Sequence, residues 1–282
     1  MKESTVQRIV WALGLLLVAA AVYLWWWPRT PEPPPAPPPV QPPVAEAPAP
    51  PPAPASAPAV AHPIEAVEAP KEPRAPVAGS RDAIADALAD LLGRKAVLEM
   101  LNTDEFARRV VATVDNLPRE QASSRLWPVQ PTAGRFTVAT QGNASVLSPD
   151  NAKRYEPFVR MVTSADVGRV AALYVRLYPQ FQKAYEDLGY PGRYFNDRVV
   201  EVIDHLLATP EPASPPQMSL TEVRGPVQPT RPWVNYEFSD ADLRARSAGQ
   251  KIMLRIGTEH AQALKGWLSV FRSRIAKSAP AR

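Results

Sequence analysis

The chain has 282 residues, of which 35 are proline and none is cysteine, and its formal net charge is +4. The lack of cysteine excludes disulfide frameworks, thiolate zinc sites, iron–sulfur clusters and cysteine nucleophiles. No run of Lys and Arg interleaved with aromatic residues forms the basic groove of a nucleic-acid-binding protein, so we expect no nucleic-acid partner.

The first predicted element is a transmembrane helix at residues 9–27. This stretch, IVWALGLLLVAAAVYLWWW, has no charged residue. Its nineteen residues span about 28 Å as a helix, which matches a hydrocarbon core of about 30 Å. Three tryptophans at 25–27 suit the headgroup level, and Pro28 ends the helix there. We predict a signal-anchor rather than a cleaved signal peptide, because the apolar run continues past the small residues at 19–21.

The basic residues around this helix predict its orientation. Lys2 and Arg8 precede it, whereas only Arg29 follows it closely. The excess of positive charge before the helix predicts a cytoplasmic tail at residues 1–8. We therefore expect a single-pass protein of the inner (cytoplasmic) membrane, anchored by residues 9–27, with a periplasmic C-terminal domain.

Residues 28–79 are predicted to be a disordered, proline-rich linker, because they hold twenty of the prolines. Proline denies the segment both helix and central-strand pairing, and its composition cannot bury a core. A polyproline II conformation at about 3.1 Å per residue gives an upper reach of about 160 Å. The segment therefore predicts a semi-stiff spacer between the membrane and a folded domain.

Residues 80–277 are predicted to fold as one mainly helical, bundle-like domain with a minor β-hairpin component, followed by a tail at 278–282. Apolar periodicity predicts helices at 81–92, 104–117, 151–164, 165–188, 193–208, 240–256 and 258–277. We expect Ser80, Thr103 and Thr258 to cap three of them, and Pro179 to kink or break the fourth. A hairpin is predicted at 135–147, and a second strand pair at 218–223 and 233–238.

Several stretches resemble a known family. They are RRVVATVDNLPRE (108–120), RLWPV (125–129), the run at 173–210 and SAGQKIMLRIG (247–257). Together they resemble the bacterial domain-of-unknown-function family numbered 3014, over about residues 80–275. The resemblance implies an anchored envelope protein of proteobacterial type and implies no particular activity.

The helix at 193–208 has four polar residues on one face. Asp197, Glu201, Asp204 and His205 follow at i, i+4, i+7 and i+8, which places Glu201 and His205 one turn apart, within reach of a shared divalent ion. One Glu–His pair is too few ligands for a metal site, and Arg198 is close enough to neutralise Glu201. We expect salt-bridged or solvated acids here, and assign no catalytic residue, cofactor or metal.

The loop at 189–193 joins the two strongest helices and has the sequence GYPGR. Its backbone amides, at a helix start, are able to hold an anion with help from Arg193, while Tyr190 offers an aromatic ring. A plain turn is the alternative reading. Glu201, Asp204, His205, Tyr190 and Arg193 therefore form the predicted functional surface.

Catalytic motifs are missing from the sequence. There is no phosphate-binding loop, G-x-G-x-x-G, G-x-S-x-G or H-E-x-x-H pattern. We therefore expect a non-enzymatic interaction or scaffold protein whose domain binds an envelope protein or a cell-wall component. Two alternatives stay open: a hydrolase of an envelope polymer using the acids and His of the 193–208 helix, and small-ligand or anion binding at 189–193. The sequence leaves the oligomeric state open.

Overall fold

The computed structural model describes residues 60–64, 80–221 and 230–276. These residues form a mainly helical fold with two small two-stranded sheets, as the periodicity predicts. No helix in the described part of the chain is long and apolar enough to cross a bilayer. The predicted membrane helix at 9–27 lies outside the described residues, as does most of the predicted linker.

Nine helices lie in the described ranges. They are α1 (Arg81–Leu92), α2 (Arg94–Met100), α3 (Phe106–Asn116), α4 (Asp150–Ser164), α5 (Val167–Asp187), α6 (Phe195–Leu207), α7 (Ala241–Arg244), α8 (Ala248–Arg255) and α9 (Thr258–Ile275). Two hairpin-like pairs complete the fold: β1 (Val138–Gln141) with β2 (Ala144–Leu147), and β3 (Met218–Leu220) with β4 (Tyr236–Phe238), both antiparallel.

Side-chain caps start several of these helices. The Ser80 hydroxyl accepts the Ala83 amide at α1, which confirms the predicted cap. At α5 the carboxylate of Asp166 accepts the Arg169 amide at 2.7 Å. The hydroxyl of Ser247 accepts the Gln250 amide at α8. Each cap satisfies an amide that has no partner inside its own helix.

Two of the predicted caps are wrong. Thr103 does not cap α3, which begins only at Phe106 after Glu105, a residue in the left-handed region with φ of 49°. Thr258 is the first residue of α9 rather than its cap, since Gly257 holds the cap position with φ of 92°. Glycine adopts this conformation at little cost, so the chain turns there without a side-chain cap.

Two predicted helix boundaries also differ from the structure. Pro179 lies inside α5 and does not break it. Leu177, Tyr178 and Phe181 on either side of it are buried, and this packing offsets the backbone hydrogen bond that proline cannot make. The helix predicted at 240–256 is two helices, because Ser247 ends the turn after α7 and caps α8.

The C-terminal helix α9 is central to the packing and contacts α4, α5 and α6. Helix α3 also contacts α5 and α6, and α1 contacts both α2 and α5. The main core is built from α5 and α6 residues such as Phe181, Phe195 and Ile203, together with Val111 of α3 and Ile275 of α9. Along α6, Glu201 and Asp204 are exposed, whereas Phe195 and Asn196 of the first turn are fully buried.

Candidate functional site

The four polar residues of α6 each contact a different neighbour. The Arg198 guanidinium lies 2.9 Å from the Glu201 carboxylate, so Glu201 is ion-paired, as the sequence predicts. Asp204 receives two hydrogen bonds from Arg272 of α9, the one from Nη2 at 2.7 Å. The His205 Nε2 atom lies 2.8 Å from the Ser247 hydroxyl at the start of α8. Glu201, Asp204 and His205 therefore meet three separate partners, and Asp197 meets a fourth, described below.

A shared metal ion finds no support in this arrangement. Among residues 60–64, 80–221 and 230–276, no three His, Asp or Glu side chains converge in a geometry able to hold a metal ion. The described chain has a cavity of about 400 Å³ beside the 210–216 loop and one of about 730 Å³ lined by Trp127 and Arg244. Neither Glu201 nor His205 lines either of these cavities.

A buried carboxylate that we did not single out from the sequence links α3 to α6. Asp115 is 3% exposed, and its side chain is bound by Arg119 and by Nη2 of Arg198, the latter at 3.3 Å. The Tyr190 hydroxyl donates to the same carboxylate at 3.2 Å and accepts from Arg119 at 3.1 Å. The Tyr190 ring stacks on Tyr185 with 4.6 Å between centroids. Tyr190 thus connects its loop to the end of α3.

Charge is balanced within this network. Burial alone lowers the pKa of the Arg198 guanidinium, but the hydrogen bond to Glu201 and the charges of Glu201 and Asp115 outweigh it, so that pKa is raised. Arg198 therefore stays protonated between its two carboxylates. The sequence signal for Asp115 was its place one turn after Val111 on the inward edge of α3, with Arg119 at i+4.

The 189–193 loop directs its backbone groups into the domain. The Arg193 amide donates to the Tyr190 carbonyl at 3.2 Å, and the Arg193 carbonyl accepts from Gln182 at 2.8 Å. At the start of α6, the Phe195 amide donates to Gln182 and the Asn196 amide to Tyr178. These amides are hydrogen-bonded within the chain, and the Arg193 side chain is exposed.

The first turn of α6 holds a piece of the predicted linker. Asp197 accepts two consecutive backbone amides, that of Ala61 at 3.0 Å and that of His62 at 2.7 Å. Asn196 donates to the His62 carbonyl at 2.9 Å. The Tyr194 hydroxyl accepts the Ile64 amide at 2.7 Å. We call the side chains of Tyr194, Asn196 and Asp197 the cradle.

Ile64 anchors this segment in the main hydrophobic core. It is only 9% exposed and belongs to the same cluster as Phe181, Phe195 and Ile275. Residues 60–64 lie inside the stretch that composition predicts as disordered, and the linker residues on either side lie outside the described chain. Five linker residues are therefore part of the folded unit, a contact that proline content does not predict.

Aromatic residues of α5 hold the cradle in place. Asn196 is fully buried, and besides the His62 carbonyl it donates to the Ile275 carbonyl at 3.0 Å and accepts from the Tyr174 hydroxyl at 3.0 Å. Burial raises the pKa of Tyr174, and the neighbouring Tyr194 and Asp197 add to the shift. Tyr174 therefore stays a neutral donor, and Asn196 is fixed with its amide directed at the segment.

Comparison with known proteins places the chain in a family. The family model described as "Protein of unknown function (DUF3014)" matches residues 106–272. The chain belongs to this family. The matched region runs from α3 to α9 and includes the cradle and the Asp115 network, but not residues 60–64. No curated protein and no solved structure matches this DUF3014 protein.

Proposed function

We propose that this DUF3014 protein is a single-pass inner-membrane protein whose periplasmic helical domain is an interaction module that binds short segments of polypeptide. One observation carries the interaction role. The cradle holds a bent, proline-containing stretch of the chain through main-chain hydrogen bonds and one buried apolar side chain. Main-chain bonding with a pocket for one side chain is a general mode of peptide recognition.

The proposed membrane location and orientation are inferred from the sequence. The uncharged stretch at 9–27 has the length of a membrane helix, and Lys2 and Arg8 favour a cytoplasmic start. The linker then supplies a spacer between the bilayer and the domain. An anchor, a spacer and a module that binds polypeptide together make a tethered scaffold of the cell envelope.

The hydrolase alternative gains no similar support. General acid–base chemistry on α6 needs a carboxylate or imidazole directed at a substrate site. Arginine binds both Glu201 and Asp204, and His205 is hydrogen-bonded to a helix cap. The neighbours of these side chains are structural, so we favour the interaction role.

Cysteine labelling in intact cells tests the proposed membrane orientation. Because the native chain has no cysteine, Ser4→Cys and Ala45→Cys each introduce a single reactive site on opposite sides of the predicted helix and leave the flanking charges unchanged. We expect an impermeant maleimide that enters the periplasm to label position 45 in intact cells, and position 4 only after lysis. The reverse pattern, or recovery of the full chain in the soluble fraction without detergent, would contradict the proposal.

Cross-linking in the membrane tests the interaction. A photo-reactive amino acid at Arg193, which is exposed and lies beside the cradle, should form adducts with envelope proteins. Asp197→Asn removes a carboxylate that binds backbone amides and should reduce those adducts, whereas Asp204→Asn, which changes an acid paired with Arg272, should not. Equal amounts of adduct without a further substitution, with Asp197→Asn and with Asp204→Asn would show that the interaction does not use the cradle.

A further inference from the structure

The cradle recognises the linker by groups that almost every residue carries. The cradle makes four hydrogen bonds to residues 61–64. In three of them it accepts a backbone amide, of Ala61, His62 or Ile64, and in the fourth it donates to the His62 carbonyl. Pro63 stands at the one position from 61 to 64 whose amide has no role in these contacts, and proline has no amide to leave unpaired. Ile64 alone among these residues enters the core. The cradle therefore reads a backbone pattern and one apolar side chain.

This pattern is rare in the linker despite its many prolines. It requires two consecutive non-proline residues, then proline, then a β-branched apolar residue. Within residues 28–79 only 61–64 (AHPI) and 74–77 (RAPV) satisfy it. Elsewhere proline replaces a needed donor, or an alanine, proline or charged residue stands where Ile64 fills its pocket. The cradle thus distinguishes one form of proline-containing segment from the bulk of the linker.

Attachment of residues 60–64 rests on few contacts. Among the described residues, four hydrogen bonds, the buried Ile64 side chain and the half-buried His62 ring hold the segment and oppose the conformational entropy lost when it is ordered. The covalent link to the domain helps, since a tethered segment binds at millimolar effective concentration. A segment held by so few contacts exchanges with a competitor of the same chemistry once that competitor reaches a similar concentration.

We propose that the cradle is an exchangeable peptide site, with residues 60–64 as its resident occupant and a partner segment of the form X-X-Pro-β-branched, where neither X is proline, as the ligand that replaces them. This proposal rests on the proposed interaction role and adds the class of partner to it. The partner is a stretch of another polypeptide that adopts the same bent backbone and ends its recognised pattern with isoleucine or valine.

Displacement also changes the reach of the domain. With residues 60–64 bound, 32 residues (28–59) separate the membrane from the folded unit. After their release the free linker is 52 residues (28–79). At about 3.1 Å per residue the upper reach grows from about 100 Å to about 160 Å. A partner that occupies the cradle therefore also allows the domain to stand further from the membrane.

Peptide binding to the full chain in detergent micelles tests the exchange. The probe is a fluorescent peptide with the sequence of residues 58–66, PAVAHPIEA. Its binding is measured by fluorescence anisotropy. Every chain carries Val77→Asp, which removes the second match. In the test variant, Ala61→Pro and His62→Pro remove the two amides that Asp197 accepts and leave Ile64 in place. The control, Ala45→Pro with Ala47→Pro, adds two prolines elsewhere in the linker.

We expect the test variant to bind the probe at least tenfold more tightly than the control, because its own segment no longer competes. Adding Asp197→Asn to the test variant should weaken binding at least tenfold, and adding Asp204→Asn should leave it unchanged. A probe with aspartate in place of Ile64 should not bind. Equal affinities of test variant and control, or no effect of Asp197→Asn, would overturn the proposal.

Hydrogen exchange on the chain carrying only Val77→Asp gives an independent answer if the double-proline variant does not fold. The amides of Ala61, His62 and Ile64 should be protected and should exchange several-fold faster when excess unlabelled probe is present. Protection that the probe leaves unchanged would show that residues 60–64 are a permanent part of the domain. Both measurements use the purified chain. A negative result in them would not affect the proposed membrane orientation, and a negative result in the labelling test would not affect the peptide-binding results.

Discussion

Replacing Asp115 by alanine should destabilise the domain strongly, because one buried carboxylate serves three partners. Its side chain is 5% exposed and binds Arg119, Arg198 and the Tyr190 hydroxyl. Removing one member of a buried ion pair costs about 3–5 kcal/mol. Arg198 keeps Glu201 as a partner and the Arg119 side chain is 53% exposed, so we place the cost near the lower end, at about 3 kcal/mol.

Asp204→Ala is the matched control, since it removes the same side chain from another arginine partner. The Asp204 side chain is 48% exposed and pairs with Arg272 at the surface, where such pairs contribute about 0–1 kcal/mol. In a domain of this size about 1 kcal/mol shifts the melting temperature by about 2–4 °C. We therefore expect a drop of about 6–12 °C for Asp115→Ala and at most about 4 °C for Asp204→Ala.

Thermal unfolding of the full chain in detergent, followed by far-ultraviolet circular dichroism, measures both shifts, and urea titration gives the free energies. A double-mutant cycle with Arg198→Met isolates the part carried by that pair. If Asp115→Ala lowers the melting temperature no more than Asp204→Ala, the desolvation of Asp115 cancels its interactions, and the reasoning from burial fails.

Three further outcomes follow from the structure. Burial raises the pKa of Tyr174 and Tyr178 above the usual value of about 10, so their contribution to the stability of the fold is complete below pH 10 and is lost as the pH rises further. Absorbance at 295 nm should show both residues ionising only when the chain unfolds. Reversible ionisation of all eight tyrosines in the folded chain would contradict this expectation. Gly249→Ala places a Cβ 2.7 Å from a Leu206 methyl and 3.0 Å from a backbone carbonyl. It should lower the free energy of unfolding in urea by about 1–2 kcal/mol, even after the gain in helix propensity. An unchanged urea midpoint would show that Leu206 moves aside. Ser247→Ala removes the cap of α8 and should cost about 1 kcal/mol by the same assay, whereas Ser273→Ala, at an exposed serine of α9, should cost less than about 0.5 kcal/mol.

Local signals in the sequence predicted most of the helices. The apolar spacing in α5 and α6 was long and regular enough to place both, and Ser80 identified the start of α1. At Pro179, where local reasoning predicts a kink or a break, the helix is not broken, because packing on both sides of the proline outweighs the lost hydrogen bond. Local reasoning was wrong at Ser247, where a cap in the middle of a helical pattern divides it into two helices.

The candidate site was only partly predictable. The pairing of Arg198 with Glu201 follows from their spacing on one helix. The partners of Asp204, His205 and Tyr190 come from α9, α8 and α3, at positions that no local pattern connects. Spacing along α6 put four polar residues on one face, but the neighbouring helices decided which of them meets which partner.

By itself the amino-acid sequence determined the helical class of the domain, its family and the absence of thiol chemistry, because these depend on composition, periodicity and local pattern. Only the tertiary structure decided that Asp197 binds residues 61 and 62, more than 130 positions away, and that Ile64 joins the core. The physical reason is that a backbone amide and a lone isoleucine carry no local mark of their partners. Their free energy depends on a surface formed when α5, α6 and α9 pack together.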